Sequence, residues 1–158
     1  MSKLKYFLPP ALCCALLILG DQWVKHWART VLYPVATLPV IPGFFQFTYL
    51  ENTGAAFGLF EGARWVFIPL TVLVFIVILI YYARLPLTRE SWKQRVPLVL
   101  VFAGAAGNFI DRVANGYVTD MFEFTFVTFP VFNIADVCLV LGTFSLATII
   151  LLFIKETD

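Results

Sequence analysis

A polypeptide crosses a bilayer by satisfying its backbone polar groups internally, and a helix needs about 20 apolar residues to span the hydrocarbon core. Four stretches of this chain approach that length: 6–24, 65–83, 96–112 and 137–154. The first carries Asp21 near its end, and the second holds no charge. The apolar run of the third goes from Val96 to Ile110 and stops at Asp111, while the fourth follows Asp136 directly. Pro9 and Pro10 open the first stretch, and Pro69 and Pro97 lie near the starts of theirs, where a proline costs a helix least. This pattern predicts four transmembrane helices.

Composition agrees. Of 158 residues 61% are hydrophobic and 13% charged, with a mean hydropathy of +0.88, which excludes an ordinary water-soluble domain. The formal net charge of +1 leaves no basic surplus for phosphate neutralisation, so no nucleic-acid partner is expected. Cys13, Cys14 and Cys138 sit in apolar runs, and His26 is the only histidine. Neither a metal site nor a disulfide framework is expected, and the thiols read as small apolar packing residues.

Lys3 and Lys5 before an apolar run resemble a secretory signal, but no small-residue cleavage site follows, so this segment is expected to be retained. Seven basic residues (Lys3, Lys5, Arg84, Arg89, Lys93, Arg95, Lys155) fall on one side of the four spans and four (Lys25, Arg29, Arg64, Arg112) on the other. The positive-inside rule then places both termini in the cytoplasm. Asp21, Asp111, Asp120 and Asp136 all fall on the outer side. Acids at the membrane are costly and invite a functional reading, although helix ends at the water boundary also account for single ones.

The outer segments, 25–64 and 113–136, each contain an aromatic alternation. Phe45, Phe47 and Tyr49 alternate with Gln46 and Thr48, and Phe122, Phe124 and Phe126 with Glu123 and Thr125. Period two predicts strands, either a sheet lying on the headgroups or a lid packed over the helix ends. The chain shows no repeat or linker, so residues 1–158 are expected to form a single membrane domain, all-α apart from this small outer sheet.

The chemistry on offer is narrow. Serines occur only at Ser2, Ser91 and Ser145, with no nucleophile elbow, and neither a His-Glu-x-x-His motif nor a Gly-rich phosphate loop is present. Carboxylates remain. Two within hydrogen-bonding reach share a proton, so that one activates water while the other polarises a carbonyl. Asp120 and Asp136, sixteen positions apart, would meet if the connecting loop folds back. Asp136 has a competing reading as the acid of a capping box opened by Asn133. For Asp111, neutralisation by neighbouring Arg112 competes with a site role; Asn108, Asp111 and Arg112 share one helical face. Gly104 and Gly107 belong to a small-residue run that admits a close helix neighbour. A proton-linked transporter and a non-catalytic assembly subunit are the rival classes.

Five blocks, in order, resemble the lipoprotein signal peptidase (signal peptidase II) family of bacterial inner membranes. They are DQWVK at Asp21–Lys25, ENTGAAFG at Glu51–Gly58, GNFIDR at Gly107–Arg112, VTDMFEF at Val118–Phe124 and FNIAD at Phe132–Asp136. The resemblance covers nearly the whole chain. It implies a multi-pass aspartic endopeptidase of the cytoplasmic membrane that cuts diacylglyceryl-modified prolipoproteins just before the lipidated cysteine, near the outer face. It implies Asp120 and Asp136 as the catalytic pair, with Asn52, Gly54, Asn108, Asp111, Arg112 and Asn133 as substrate-binding or supporting residues, and Asp21 and Lys25 as structural. It also implies an outer sheet with an interfacial segment, contact with membrane lipid, no cofactor or metal, and no obligate protein partner.

Overall fold

The computed structural model describes residues 3–54 and 62–154. The segment Ala55 to Glu61 lies outside the described residues, so nothing tests the expected interfacial segment there, nor the second half of the ENTGAAFG block. The elements are α1 (Leu4–Trp27), β1 (Thr37–Ile41), β2 (Phe45–Asn52), α2 (Arg64–Arg84), α3 (Trp92–Ala114), β3 (Val118–Phe124) and α4 (Ile134–Ile154). All four helices are long and apolar enough to span a membrane. The central one is α3, which packs against α4, α1 and α2. Half of its apolar window is buried, against 6% for α2. The remaining apolar faces, Leu70, Leu73 and Val77 of α2 among them, are exposed, as the outside of a bundle must be when its solvent is lipid.

Each helix is longer than its apolar run predicts. Helix α1 passes Asp21 and Lys25 without stopping and continues through a π-helical turn, Ala28–Leu32, because both side chains are paired inside the bundle. Helix α4 begins before Asp136. Small residues set the helix spacing. A Cβ on Gly104 would collide with the Ala135 carbonyl and come within 2.9 Å of Leu139, and one on Gly142 would lie 2.7 Å from Val101. The packing role expected of the small-residue run is therefore a contact between α3 and α4.

The strands form one antiparallel sheet in the order β1-β2-β3. The two aromatic alternations are β2 and β3, though Phe126 falls beyond the end of β3. Strand β1 is an addition to the sequence reading. Pro39 interrupts it, and a proline argues for an edge position, which β1 occupies. The signal for it was Pro42-Gly43. Phe44 N–H donates to the Ile41 carbonyl at 3.0 Å, and Gly43 has φ +71°, a backbone only glycine enters freely. The sheet packs on the end of α1, where Met121 joins Ala28 and Leu32, with Trp27, Phe47 and Phe122 around them. The packed-lid reading holds for this contact.

The β2–β3 register shifts between Phe47 and Leu50. Phe47 opposes Phe122, but Leu50 rather than Tyr49 opposes Asp120. One extra residue in β2 flips every later side chain to the other side of the sheet. Asn52 instead of Glu51 thereby comes to lie on the side of Asp120.

Candidate active site

The sheet end of the bundle gathers the four aspartates. Asp111 is fully buried, Asp120 1% exposed and Asp21 2% exposed, while Asp136 is half-buried. Burial of this order is sustained only by full hydrogen bonding.

Strand β3 supplies Asp120, whose Oδ2 accepts from Asn52 Nδ2 at 2.9 Å and whose Oδ1 accepts from Asn133 Nδ2 at 2.6 Å. The first turn of α4 supplies Asp136. Its Oδ1 accepts from Asn108 Nδ2 at 2.7 Å, and its Oδ2 from the Asn133 N–H at 3.1 Å. Asn133 Oδ1 in turn accepts the Asp136 N–H at 2.9 Å. This reciprocal pair is a capping box. The two readings of Asp136 are thus compatible, since the capping acid keeps an oxygen for Asn108. Asn133 Nδ2 also donates to Asn108 Oδ1 at 3.1 Å, so three asparagines from β2, α3 and the start of α4 hold both carboxylates.

Behind Asn108 lies a buried ionic cluster. Lys25, fully buried, donates to Asn108 Oδ1 at 2.9 Å and pairs with Asp21 at 2.9 Å and Asp111 at 3.3 Å. Asp111 Oδ2 also accepts the Thr119 N–H of β3 at 2.9 Å. Arg29, from the π-helical turn, lies 3.4 Å from Asp111 Oδ1 and donates to Thr119 Oγ1 at 2.9 Å. Asp21 Oδ1 accepts the Ala135 N–H at 2.9 Å, which ties α1 to the start of α4.

Arg112 is not the partner of Asp111. Successive residues on a helix diverge by about 100°, so neighbours do not face each other. Arg112 turns instead to the Gly54 carbonyl, 3.0 Å away, with its guanidinium 4.8 Å from the centre of the Phe67 ring. The Gly54 N–H donates to Asn52 Oδ1 at 3.0 Å, so Asn52, Gly54 and Arg112 are linked. Arg29 was the gap in the sequence reading, and Lys25, read as structural, is found directly against Asn108. The i, i+4, i+8 spacing of Asp21, Lys25 and Arg29 was the available signal, since it sets all three on one face of α1.

Asn52, Asn108, Arg112, Asp120 and Asp136 supply the polar lining of a groove of about 470 Å³. The rest is apolar and runs along α4 and the preceding loop, with Phe129, Val131, Val137, Val140 and Leu141 among its residues. Burial first, and then the Asp136 charge, push the Asp120 carboxyl up to about 7 against the opposing hydrogen bonds of Asn52 and Asn133. Among the described residues no group of three or more His, Cys, Asp or Glu could hold a metal ion. The cysteines among them are free thiols.

Four membrane-length helices, a three-stranded sheet over one end and a groove lined by carboxylates define an integral membrane protein with an acidic site at one end of its bundle. The profile of the signal peptidase (SPase) II family matches residues 13–153. A lipoprotein signal peptidase of Moorella thermoacetica is 45% identical over 144 residues, covering 90% of this chain and 93% of the relative. One from Clostridium acetobutylicum is 41% identical over 144 residues, covering 89% and 92%. A bacterial membrane enzyme solved by the in meso method at 2.3 Å resolution superimposes with a TM-score of 0.84 at 31% identity, covering 96% of this chain and 91% of that one. The chain belongs to the signal peptidase II family, a family of membrane-bound proteases that process lipoproteins.

Proposed function

We propose that this protein is an aspartic endopeptidase that removes the signal peptide from diacylglyceryl-modified prolipoproteins, cutting just before the lipidated cysteine. The observation that supports this reading is that Asp120 and Asp136 line one groove, bridged by Asn133, with Asn52 on Asp120 and Asn108 on Asp136. One carboxylate takes a proton from water, whose oxygen attacks the scissile carbonyl carbon. The other, protonated, gives its proton to the carbonyl oxygen, and the tetrahedral intermediate collapses as the amine leaves with a proton. An Asp120 carboxyl held up to about 7 keeps one proton on the pair near neutrality, and the pair titrates as a unit. No metal or cofactor enters this scheme.

The apolar wall along α4 suits the hydrophobic segment of a signal peptide entering sideways from the lipid, with the diacylglyceryl group left in the outer leaflet. Arg112 and Asn52, bridged through Gly54, face the same groove and are suited to hold substrate backbone. The basic residues on the opposite end of the bundle support an orientation in the bacterial cytoplasmic membrane with both termini inside and the site near the outer face.

The test is cleavage of a diacylglyceryl-modified prolipoprotein peptide in detergent or lipid by wild type, D120N and D136N, each checked for folding. Loss of cleavage in both variants, and no cleavage of the unlipidated peptide by wild type, is the expected result. Wild-type rates in either variant would exclude the pair.

A further inference from the structure

We infer that Lys25 is a positioning residue for hydrolysis, fixing the Asn108 amide so that its N–H end faces Asp136. The inference rests on the assignment of Asp136 to the catalytic pair.

An ammonium has three protons to donate, and Lys25 spends them on Asp21, Asp111 and Asn108 Oδ1 without any contact with water. Its position is therefore over-determined from α1 and α3 together. The Asn108 carboxamide has two ends of opposite polarity. Its oxygen receives Lys25 at 2.9 Å and Asn133 Nδ2 at 3.1 Å, and its Nδ2 reaches Asp136 Oδ1 at 2.7 Å. Turning the amide over would set its NH₂ against the ammonium and its carbonyl oxygen against the Asp136 carboxylate. A buried positive charge at the oxygen end excludes that state, and it also polarises the amide so that its N–H bonds to Asp136 are stronger. The same helix grips Asp136 from a second direction, because Asp21, the i−4 partner of Lys25, accepts the N–H of Ala135 next to it. Lys25 hydrogen-bonds neither carboxylate of the pair; beyond the longer-range pull of its charge on Asp120, it acts through Asn108.

The experiment is a double-mutant cycle on cleavage of the lipidated peptide. It is run in a D111N background, so that removing Lys25 does not orphan a second acid. K25M is expected to lower kcat about thirtyfold, with KM within twofold, because the loss is one of geometry at the reacting groups. In the presence of N108A the same K25M change should alter kcat less than twofold. Equal losses with and without N108A, an unchanged kcat, or a D111N/K25M protein that no longer folds would each overturn the inference and leave Lys25 a structural residue. D136N is assayed alongside. Wild-type cleavage by D136N sinks the aspartate pair itself, whereas an inactive D136N with independent Lys25 and Asn108 effects sinks only the role of Lys25.

Discussion

Asn133 and Asp136 hold each other reciprocally: the Asn133 N–H donates to Asp136 Oδ2 at 3.1 Å, and the Asp136 N–H donates to Asn133 Oδ1 at 2.9 Å. Helix initiation and carboxylate orientation are therefore one structure. The Nδ2 of the same asparagine also reaches Asp120 and Asn108.

Replacing Asn133 by Ala removes a cap worth about 1 kcal/mol and two side-chain bonds inside the site. N133A is expected to lower the melting temperature by several degrees and to cut cleavage by about a hundredfold or more. Thermal unfolding in detergent and the peptide assay read these separately. N133A with wild-type kcat would remove the amide from the site.

The protonation state of Asp120 sets a pH dependence. Its folded value, about 7, lies above the ordinary aspartate value of about 3.8, so the folded state favours the protonated acid. That contribution to stability is complete below about 3.8 and is lost as pH rises through about 7. Asparagine at 120 cannot ionise. The advantage of D120N over wild type in melting temperature is therefore expected to grow between pH 4 and pH 8, and cleavage by wild type should fall above about pH 7. A melting-temperature difference that is flat with pH would contradict the raised value.

Two glycines give a paired steric test. A Cβ on Gly107 would lie 2.5 Å from Asp21 Oδ2 and 3.1 Å from Ala135 Cβ, whereas one on Gly20 meets nothing within 4 Å. G107A is expected to destabilise by about 1–3 kcal/mol and to lower activity by disturbing the Asp21 bond to α4. G20A should match wild type in both. Denaturant or thermal titration with parallel cleavage assays decides it.

The far end of the bundle offers a separation of stability from catalysis. Arg95 is fully buried and donates to Ser91 Oγ at 3.0 Å and to the Leu85 carbonyl at 2.9 Å, with its guanidinium 4.5 Å from the centre of the Tyr82 ring. R95L leaves these acceptors unsatisfied and should destabilise by about 2–3 kcal/mol, while kcat per folded molecule stays at the wild-type value. A selective loss of kcat would tie this end to the site.

Several features were legible before any fold was known because they depend on local period and on the membrane. A bilayer imposes a length, so the four apolar runs mark four helices whatever their packing. The Phe alternations mark β2 and β3 because side chains alternate across a pleated strand. Strand β1 was harder to see, since Pro39 argues against a strand until Pro42-Gly43 is recognised as the turn that returns it to β2. Two helix ends were misjudged for the same reason: Lys25 and Asp136 bounded the expected first and fourth spans, yet each is paired within the protein.

The sequence by itself determined which residue types were available for chemistry and on which side of the spans they would fall, because hydropathy and charge act through the solvent and need no partner. Only the tertiary structure decided who binds whom. Asp111 takes Lys25 and Arg29 rather than its neighbour Arg112, and one inserted residue in β2 turns Asn52 toward Asp120. Those outcomes depend on distances between segments from 58 to more than 80 residues apart, and a hydrogen bond tolerates only a narrow range of distance and angle. No local pattern carries information that fine.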